Sequence, residues 1–518
     1  MDAVPVVEVG PAGVSAGDVV AVARKGAAIK LSEESLAEMA KSRRAVEELA
    51  ASAWPVYGVS TGFGALATRH IPPAQRAQLQ LSLVRSHAAG MGPPVDSEVA
   101  RAMMFLRLRS LATGRTGARP LVAEALVKLL NAGVTPIVPQ HGSLGCSGDL
   151  APLAHCALVL VGEGEVVGAD GSPVPAASAL ADAGAEPVVL GAKEGLALVN
   201  GTDGMLAMLV LACEDLGRLC QVADVTTALS VEALLGTDRA FLPGLQQGLR
   251  PHPGQGVSAA NLVALLAGSE IVASHRTGHP TGDTRVQDAY SLRCAPQVTG
   301  AVRDTVTYAS EVAGRELRAA IDNPVVLPDG TVASNGNFHG APLAYVLDFL
   351  AICAADLSSI SERRTDRLLD PARSHGLPAF LAADPGVDSG LMIAQYAQAA
   401  MVSENKRLAS PASVDSIPSS AMQEDHVSMG WEAGLKLRAA IVNLRRVLAI
   451  ELVVAARGVE LRSRLQPAPA TAAVIAELRR AVPGFGSDRW VSPELEDADR
   501  LVASGRVLEA VARVVQLQ

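Results

Sequence analysis

Apolar residues recur with helical spacing along most of this chain. After Ser32, the residues Leu36, Met39, Ala40, Val46, Leu49 and Ala50 fall near a 3.6-residue period, with charged residues on the opposite face. That pattern predicts an amphipathic helix capped by Ser32 and running to about residue 53. The same reasoning predicts helices over 74–92, 97–112 and 119–131, and another from Asp149 to about Val161. Beyond residue 204 the pattern is almost wholly helical, closing with amphipathic helices over 431–457, 470–482 and 497–516. Strand signals are confined to two places, an alternation of period two and a small β excursion in a segment rich in Gly, Pro and Val. One is Val4 to Val9 in the first 30 residues, and the other is Glu165-Val166-Val167 with Val188-Val189-Leu190. The expected fold class is therefore mainly α, with a mixed α/β N-terminal part.

Composition narrows this picture. A chain of 518 residues with 49% hydrophobic and 19% charged residues can bury a large core, and its length suggests two to four domains. Aromatic residues are only 3%, so each tyrosine and phenylalanine is informative. A net charge of −9 without a basic run argues against nucleic-acid binding. The start, Met1-Asp2-Ala3-Val4-Pro5, lacks the basic region of a secretory signal, and the apolar run Leu343–Cys353 is interrupted by Asp348. A cytoplasmic protein with no membrane partner is expected. The six cysteines form no Cys-x-x-Cys pair and read as reduced, mostly buried small hydrophobes. His275 and His279 have the spacing of a helical metal pair, but Gly278 and Pro280 argue against a helix, so no metal is expected.

The candidate chemistry centres on Gly142-Ser143-Leu144-Gly145-Cys146-Ser147-Gly148-Asp149-Leu150-Ala151-Pro152-Leu153. Three glycines in seven residues permit a sharp turn. Asp149 then suits an N-cap, and Pro152 is tolerated in the first helical turn. On spacing alone this is a glycine-rich turn capping an ordinary helix. A tight Xaa-Ser-Gly bend also permits attack of the Gly148 nitrogen on the Cys146 carbonyl carbon. Loss of two waters would leave a methylidene-imidazolone (MIO), a built-in electrophile beside the positive end of a helix.

The run resembles the signature of the aromatic amino acid ammonia-lyase family, whose usual form has Ala-Ser-Gly followed by Asp-Leu-Ala-Pro-Leu. Cys146 stands here for the alanine. Further blocks carry the same resemblance. Tyr57-Gly58-Val59-Ser60-Thr61-Gly62-Phe63-Gly64 is similar to the family's tyrosine-bearing glycine loop, whose tyrosine is the proposed base. Gly195 to Thr202 contains the family's Asn-Gly-Thr at Asn200, although Asp203 follows where glutamine is frequent. Gln287, Tyr290 and Arg293, spaced i, i+3 and i+6, suit a carboxylate or an internal polar cluster on spacing alone. Their run resembles the histidine lyases' Gln-Asp-x-Tyr-Ser-x-Arg-Cys. The loop Asn335-Gly336-Asn337-Phe338-His339-Gly340 also matches, with Phe338 as a wall. In the family the position of His87 faces the substrate ring and carries histidine in both the histidine and the bacterial tyrosine enzymes, so the resemblance makes His87 a contact candidate, whereas a carboxylate at Glu424 is characteristic of the histidine enzymes.

The resemblance implies a long central helical bundle. It divides the chain into residues 1–203, which carry the MIO turn and the Tyr57 lid, and residues 204–518, which carry the bundle. It implies non-oxidative deamination of L-histidine to trans-urocanate and ammonia, the first step of histidine breakdown, through MIO formed from Cys146-Ser147-Gly148 with no external cofactor. The implied catalytic residues are Tyr57, Cys146, Ser147, Gly148, Tyr290 and Glu424; His87, Asn200, Gln287, Arg293 and Phe338 bind substrate. A homotetramer with shared active sites is the expected assembly. The alternatives are a tyrosine ammonia-lyase or tyrosine 2,3-aminomutase using the same MIO, and a catalytically silent scaffold of the same fold.

Overall fold

The computed structural model describes residues 6–51, 55–274, 286–462 and 464–518, so the His275/His279 pair lies outside the described residues. The chain forms two compact units. The first comprises Met1–Leu211, Ala309–Asp348 and Pro411–Leu435; the second comprises Ala212–Tyr308, Phe349–Ser410 and Lys436–Gln518.

The first unit begins with a small parallel pair, Val6–Val9 beside Ala28–Leu31, joined by a helix, Ala16–Lys25, that the alternation had obscured. Ser15 and Asp18 close that helix with a reciprocal capping box, and Gly26 ends it in the left-handed region at φ +64°. Ser32 caps Glu33–Ala51 as expected, its Oγ accepting the Ser35 amide at 3.1 Å. The helix expected over 74–92 is shorter, Arg76–His87, because Met91–Pro94 pairs antiparallel with Pro139–His141. Ser97–Ala112 is buried on every side from Ala102 onward, including Arg107 and Arg109. Their guanidiniums are tied to the carbonyls of Ile321 and Ala319, and burial lowers the pKa of Arg109 to about 10.

Three expectations are refined here. Glu165–Val167 pairs with Pro173–Pro175, not with 188–190, where Val189 is exposed. The region after 204 contains a small hairpin, Val325–Val326 against Val332–Ala333, turned at Asp329-Gly330. Asp348 interrupts the apolar run but not the helix: Ala341–Leu369 passes through it, and the buried carboxylate accepts the Ser413 amide at 2.8 Å. By length and composition that helix and the stretch Glu194–Ala233 match a membrane span. Their apolar windows are 61% and 94% buried inside the protein, which is the signature of core helices.

Within the second unit a buried carboxylate organises the helices. Glu451 accepts from Thr226 at 3.0 Å, Ser230 at 2.7 Å and Ser361 at 2.6 Å, and pairs with Arg364. Four donors thus meet its two oxygens, and truncating Arg364 would leave them short of a partner at a cost of about 3–5 kcal/mol. The closing segment expected as one helix over 497–516 is two, Ser492–Ala503 and Arg506–Ala512, parted at Gly505 with φ +84°.

Candidate active site

The candidate site lies in the first unit and is built on the turn at 142–149. Gly145 and Gly148 have φ of +65° and +74°. A Cβ on Gly145 would lie 2.3 Å from Ser428 Oγ, and one on Gly148 would lie 2.1 Å from the Gly201 carbonyl oxygen. Only glycine fits at either place. The turn is tied to three other segments. The Gly145 carbonyl accepts the Gly340 amide at 3.0 Å and Ser428 Oγ at 2.6 Å; the Met429 amide donates to Leu144 O at 2.9 Å; the Asp149 amide donates to Gly201 O at 2.7 Å.

Asp149 precedes the helix Leu150–Leu160 but does not cap it with its side chain. Its Oδ2 instead accepts the amides of Gly204 and Met205, both at 2.9 Å, at the start of the long helix Asp203–Ala233. Ser143 donates to the other oxygen at 2.9 Å. The carboxylate thus joins the turn to a helix more than fifty residues away. Burial raises its pKa to about 7, against the opposing hydrogen bonds. Asp203, left unassigned in the sequence, is buried and accepts from Ser110 at 3.2 Å.

Beside the turn is an open cavity of about 390 Å³ lined by Tyr57, Cys146, Ser147, Asn323, Phe338, His339, Glu424 and His426, among others. Tyr57 stands on a loop anchored by buried Val59, which packs with Val46 and Val326. Its phenol oxygen accepts the Gly64 amide at 3.2 Å. Ser147 Oγ donates to Asn200 Oδ1 at 3.1 Å, and buried Asn200 donates onward to the Asn323 carbonyl at 3.0 Å. Glu424 Oε2 receives both Cys146 Sγ and Ser419 Oγ at 3.0 Å. Burial, then Glu424, pushes the Cys146 thiol up to about 12, so it is an S–H donor at neutral pH.

His87, the last residue of Arg76–His87, is not among the lining residues, yet Glu424 acts on its charge. Burial holds His87 below the ordinary histidine range and outweighs the Leu83 backbone and Glu424, which both favour the cation. At pH 7 the ring is neutral.

Gln287, Tyr290 and Arg293 belong to the second unit. Tyr290 and Arg293 begin and end a single-turn helix, with the guanidinium 4.6 Å from the centre of the phenol ring. Gln287 precedes that helix, so the i, i+3, i+6 spacing does not place the three on one helical face. Tyr290 is 71% exposed.

His339 and His426 were inside the recognised runs but were not singled out. Their rings stack at 5.6 Å with 3° between planes, and His339 Nε2 lies 3.3 Å from the His426 carbonyl oxygen. The stack joins the loop bearing Phe338 to the loop bearing Glu424. Ser419 and Asn323 were also missed, because a serine or asparagine in a loop carries no local sign of a partner far along the chain. Among the described residues no three His, Cys, Asp or Glu side chains are grouped to hold a metal ion.

The turn meets the demands of MIO formation. Gly148 lacks the Cβ that would block folding back, Ser147 lines the cavity with its hydroxyl on Asn200, and the following helix starts beside the turn. The arrangement can hold an electrophile, a phenol and a carboxylate around one small ligand.

Comparison with known proteins identifies the family. The aromatic amino acid lyase family profile matches residues 14–480. Histidine ammonia-lyase from Streptomyces avermitilis is 64% identical over 509 residues, covering 98% of each chain. Among solved structures, tyrosine aminomutase from Streptomyces globisporus superposes with a TM-score of 0.94 at 39% identity, covering 99% of this chain and 100% of the other. Histidine ammonia-lyase from Trypanosoma cruzi gives 0.90 at 39% identity, covering 99% and 96%.

Proposed function

The chain belongs to the aromatic amino acid lyase family, and from that premise we propose that it converts L-histidine to trans-urocanate and ammonia. It is a carbon–nitrogen lyase. The observation that carries the choice of histidine is the Glu424 carboxylate facing the cavity beside Cys146 and Ser147. A carboxylate can accept the N–H of an imidazole and gains nothing from a phenyl ring.

MIO formed from Cys146-Ser147-Gly148 supplies the electrophile that makes the amine a competent leaving group. Tyr57, acting in its phenolate form, takes the β-proton and becomes the phenol, its oxygen held toward the cavity by the Gly64 amide. As that proton leaves, the Cα–N bond breaks and the Cα–Cβ double bond forms. Asn200, beside Ser147, holds the substrate carboxylate. Arg293, Gln287 and Tyr290 are not among the residues lining this cavity, and the parts the resemblance gives them, Arg293 on the carboxylate and the other two near the turn, fall to copies from another subunit of the shared-site tetramer. His87 and Glu424 orient the imidazole against Phe338. A neutral His87 suits this role, because a cation would repel a protonated substrate ring. A cytoplasmic homotetramer with shared sites is the assembly this reading takes from the family resemblance.

The test is a parallel assay of the purified protein with L-histidine and L-tyrosine, following the ultraviolet absorbance of urocanate and coumarate. Urocanate from histidine that disappears in Ser147→Ala is the expected result. Coumarate or β-tyrosine instead would overturn the part given to Glu424 while leaving the MIO chemistry standing. An intact mass without the loss of two waters would overturn the MIO.

A further inference from the structure

We infer that Cys146 is a positioning residue for substrate recognition: its thiol holds Glu424 so that one carboxylate oxygen is kept free for the imidazole. The inference rests on the reading of Glu424 as the partner of the substrate ring.

Both donors to Glu424 converge on one atom. Cys146 Sγ and Ser419 Oγ each lie 3.0 Å from Oε2. Among the described residues no group is recorded donating to Oε1, and Glu424 lines the cavity. Two donors on one oxygen fix the rotation of the carboxyl group and leave the other oxygen to meet a ligand N–H.

The backbone needs this help. Glu424 closes a tight loop in which its amide and carbonyl pair with those of Ser419 at 3.2 and 2.8 Å. The intervening residues Ser420, Ala421 and Met422 all have positive φ. Ser419 belongs to the same loop and moves with it. Cys146 belongs to the buried turn, tied at Gly145 to Ser428 and Gly340. Among the described residues the thiol is thus the one side-chain link from this turn to the carboxylate. Its high pKa keeps the proton in place for the bond. An alanine at this position could complete an Ala-Ser-Gly turn but would give no donor, so the cysteine adds recognition to a residue otherwise serving only the ring.

The test compares Cys146→Ala, Cys146→Ser and the unmodified protein. Cys146→Ala keeps a tripeptide of the family's usual form, and intact mass checks its loss of two waters. The expected result is a KM for L-histidine raised about tenfold, the low end for a hydrogen bond to a charged group given by a weak donor. The change in kcat is smaller than that in KM. Cys146→Ser, which restores a donor, recovers most of the loss. In a Glu424→Gln background the alanine substitution has no further effect on KM. Direct calorimetry of L-histidine binding in Ser147→Ala, with and without Cys146→Ala, reads the same contact without any ring and expects a Kd about tenfold weaker.

An unchanged KM and Kd in Cys146→Ala overturn the inference. An equal loss in the Glu424→Gln background also overturns it, because the cysteine would then act without Glu424. Failure of the unmodified protein to make urocanate overturns the functional reading itself, so the two failures are distinguishable.

Discussion

The turn at 142–149 and the loop at 416–429 bring groups to the same cavity by opposite means. The turn takes its left-handed positions at Gly145 and Gly148, where no side chain is strained. Its surroundings leave no space for a Cβ at either glycine. The loop takes three left-handed positions in succession at Ser420, Ala421 and Met422, with φ of 50°, 52° and 70°. Each such residue costs an L-amino acid about 1–2 kcal/mol. The loop is held at its base, where Val427 and Ser428 are buried and the Val427 amide donates to Ser416 Oγ at 2.9 Å. Its tip is open, with Met422 69% exposed. The geometry for ring closure is therefore written into local residue types, whereas the geometry for recognition is imposed by ties elsewhere. A site built this way can change its ligand without disturbing its electrophile.

The sharpest way to break this contrast is Gly148→Ala. The added methyl would meet the Gly201 carbonyl at 2.1 Å at a φ of +74°. No urocanate is expected, the intact mass should equal that of the translated chain, and stability should fall by about 2–4 kcal/mol from overpacking and backbone strain. Normal cyclisation in this variant would show that the turn is more yielding than its contacts indicate. Glu424→Gln strikes the loop instead. Loss of a charge-assisted contact to the substrate should lower kcat/KM roughly 10- to 100-fold. Ring formation should be intact by mass, because among the described residues the Glu424 carboxylate bonds Cys146 and Ser419 and neither Ser147 nor Gly148.

The same contrast decides what was legible beforehand. The turn could be read because glycine and proline carry their conformational meaning with them. The Ser32-capped helix could be read from its period and its cap. Nothing in Ser420-Ala421-Met422 announces three left-handed residues, since none is glycine. The pairing of Glu165–Val167 with Pro173–Pro175 was hidden because two of the three partner residues are prolines, which argue against a strand. The cap of Asp149 was assigned to its own helix because local rules see only neighbouring amides, while its partners are Gly204 and Met205. The family resemblance picked out Tyr57, Cys146, Ser147, Phe338 and Glu424, which line one cavity. It could not show which oxygen of Glu424 is engaged, or that His339 and His426 stack across it.

A gentler probe concerns the loop strain. Met422→Gly removes an exposed side chain from a left-handed position, with little burial lost. Relief of about 1–2 kcal/mol in the fold is partly offset by the extra freedom of glycine in the unfolded chain, about 0.5–1 kcal/mol. A net gain of about 0.5 kcal/mol is expected, read as a small rise in thermal midpoint. A loss of stability would mean that the tip is held by contacts beyond those recorded.

The smallest effect expected is the titration of His87. Burial disfavours its cation in the fold, so its folded pKa lies below 6.5. Below 6.5 the unfolded chain binds the proton more readily, so this group costs stability as the pH falls through 6.5 and costs no more once the folded pKa is passed. The direction is opposite to that of a histidine stabilised by a carboxylate, because burial outweighs Glu424 here. His87→Gln should therefore flatten the decline in thermal midpoint between pH 7 and 5, and its spectrum would identify the His87 signal in protein carrying carbon-13-labelled histidine. In Glu424→Gln that signal should titrate at still lower pH, because the carboxylate supplies one of the influences that favour the cation. If removing the Glu424 charge leaves the His87 titration where it was, the loop does not hold its carboxylate within electrostatic reach of the ring. Its strained backbone would then be serving something other than recognition at this cavity.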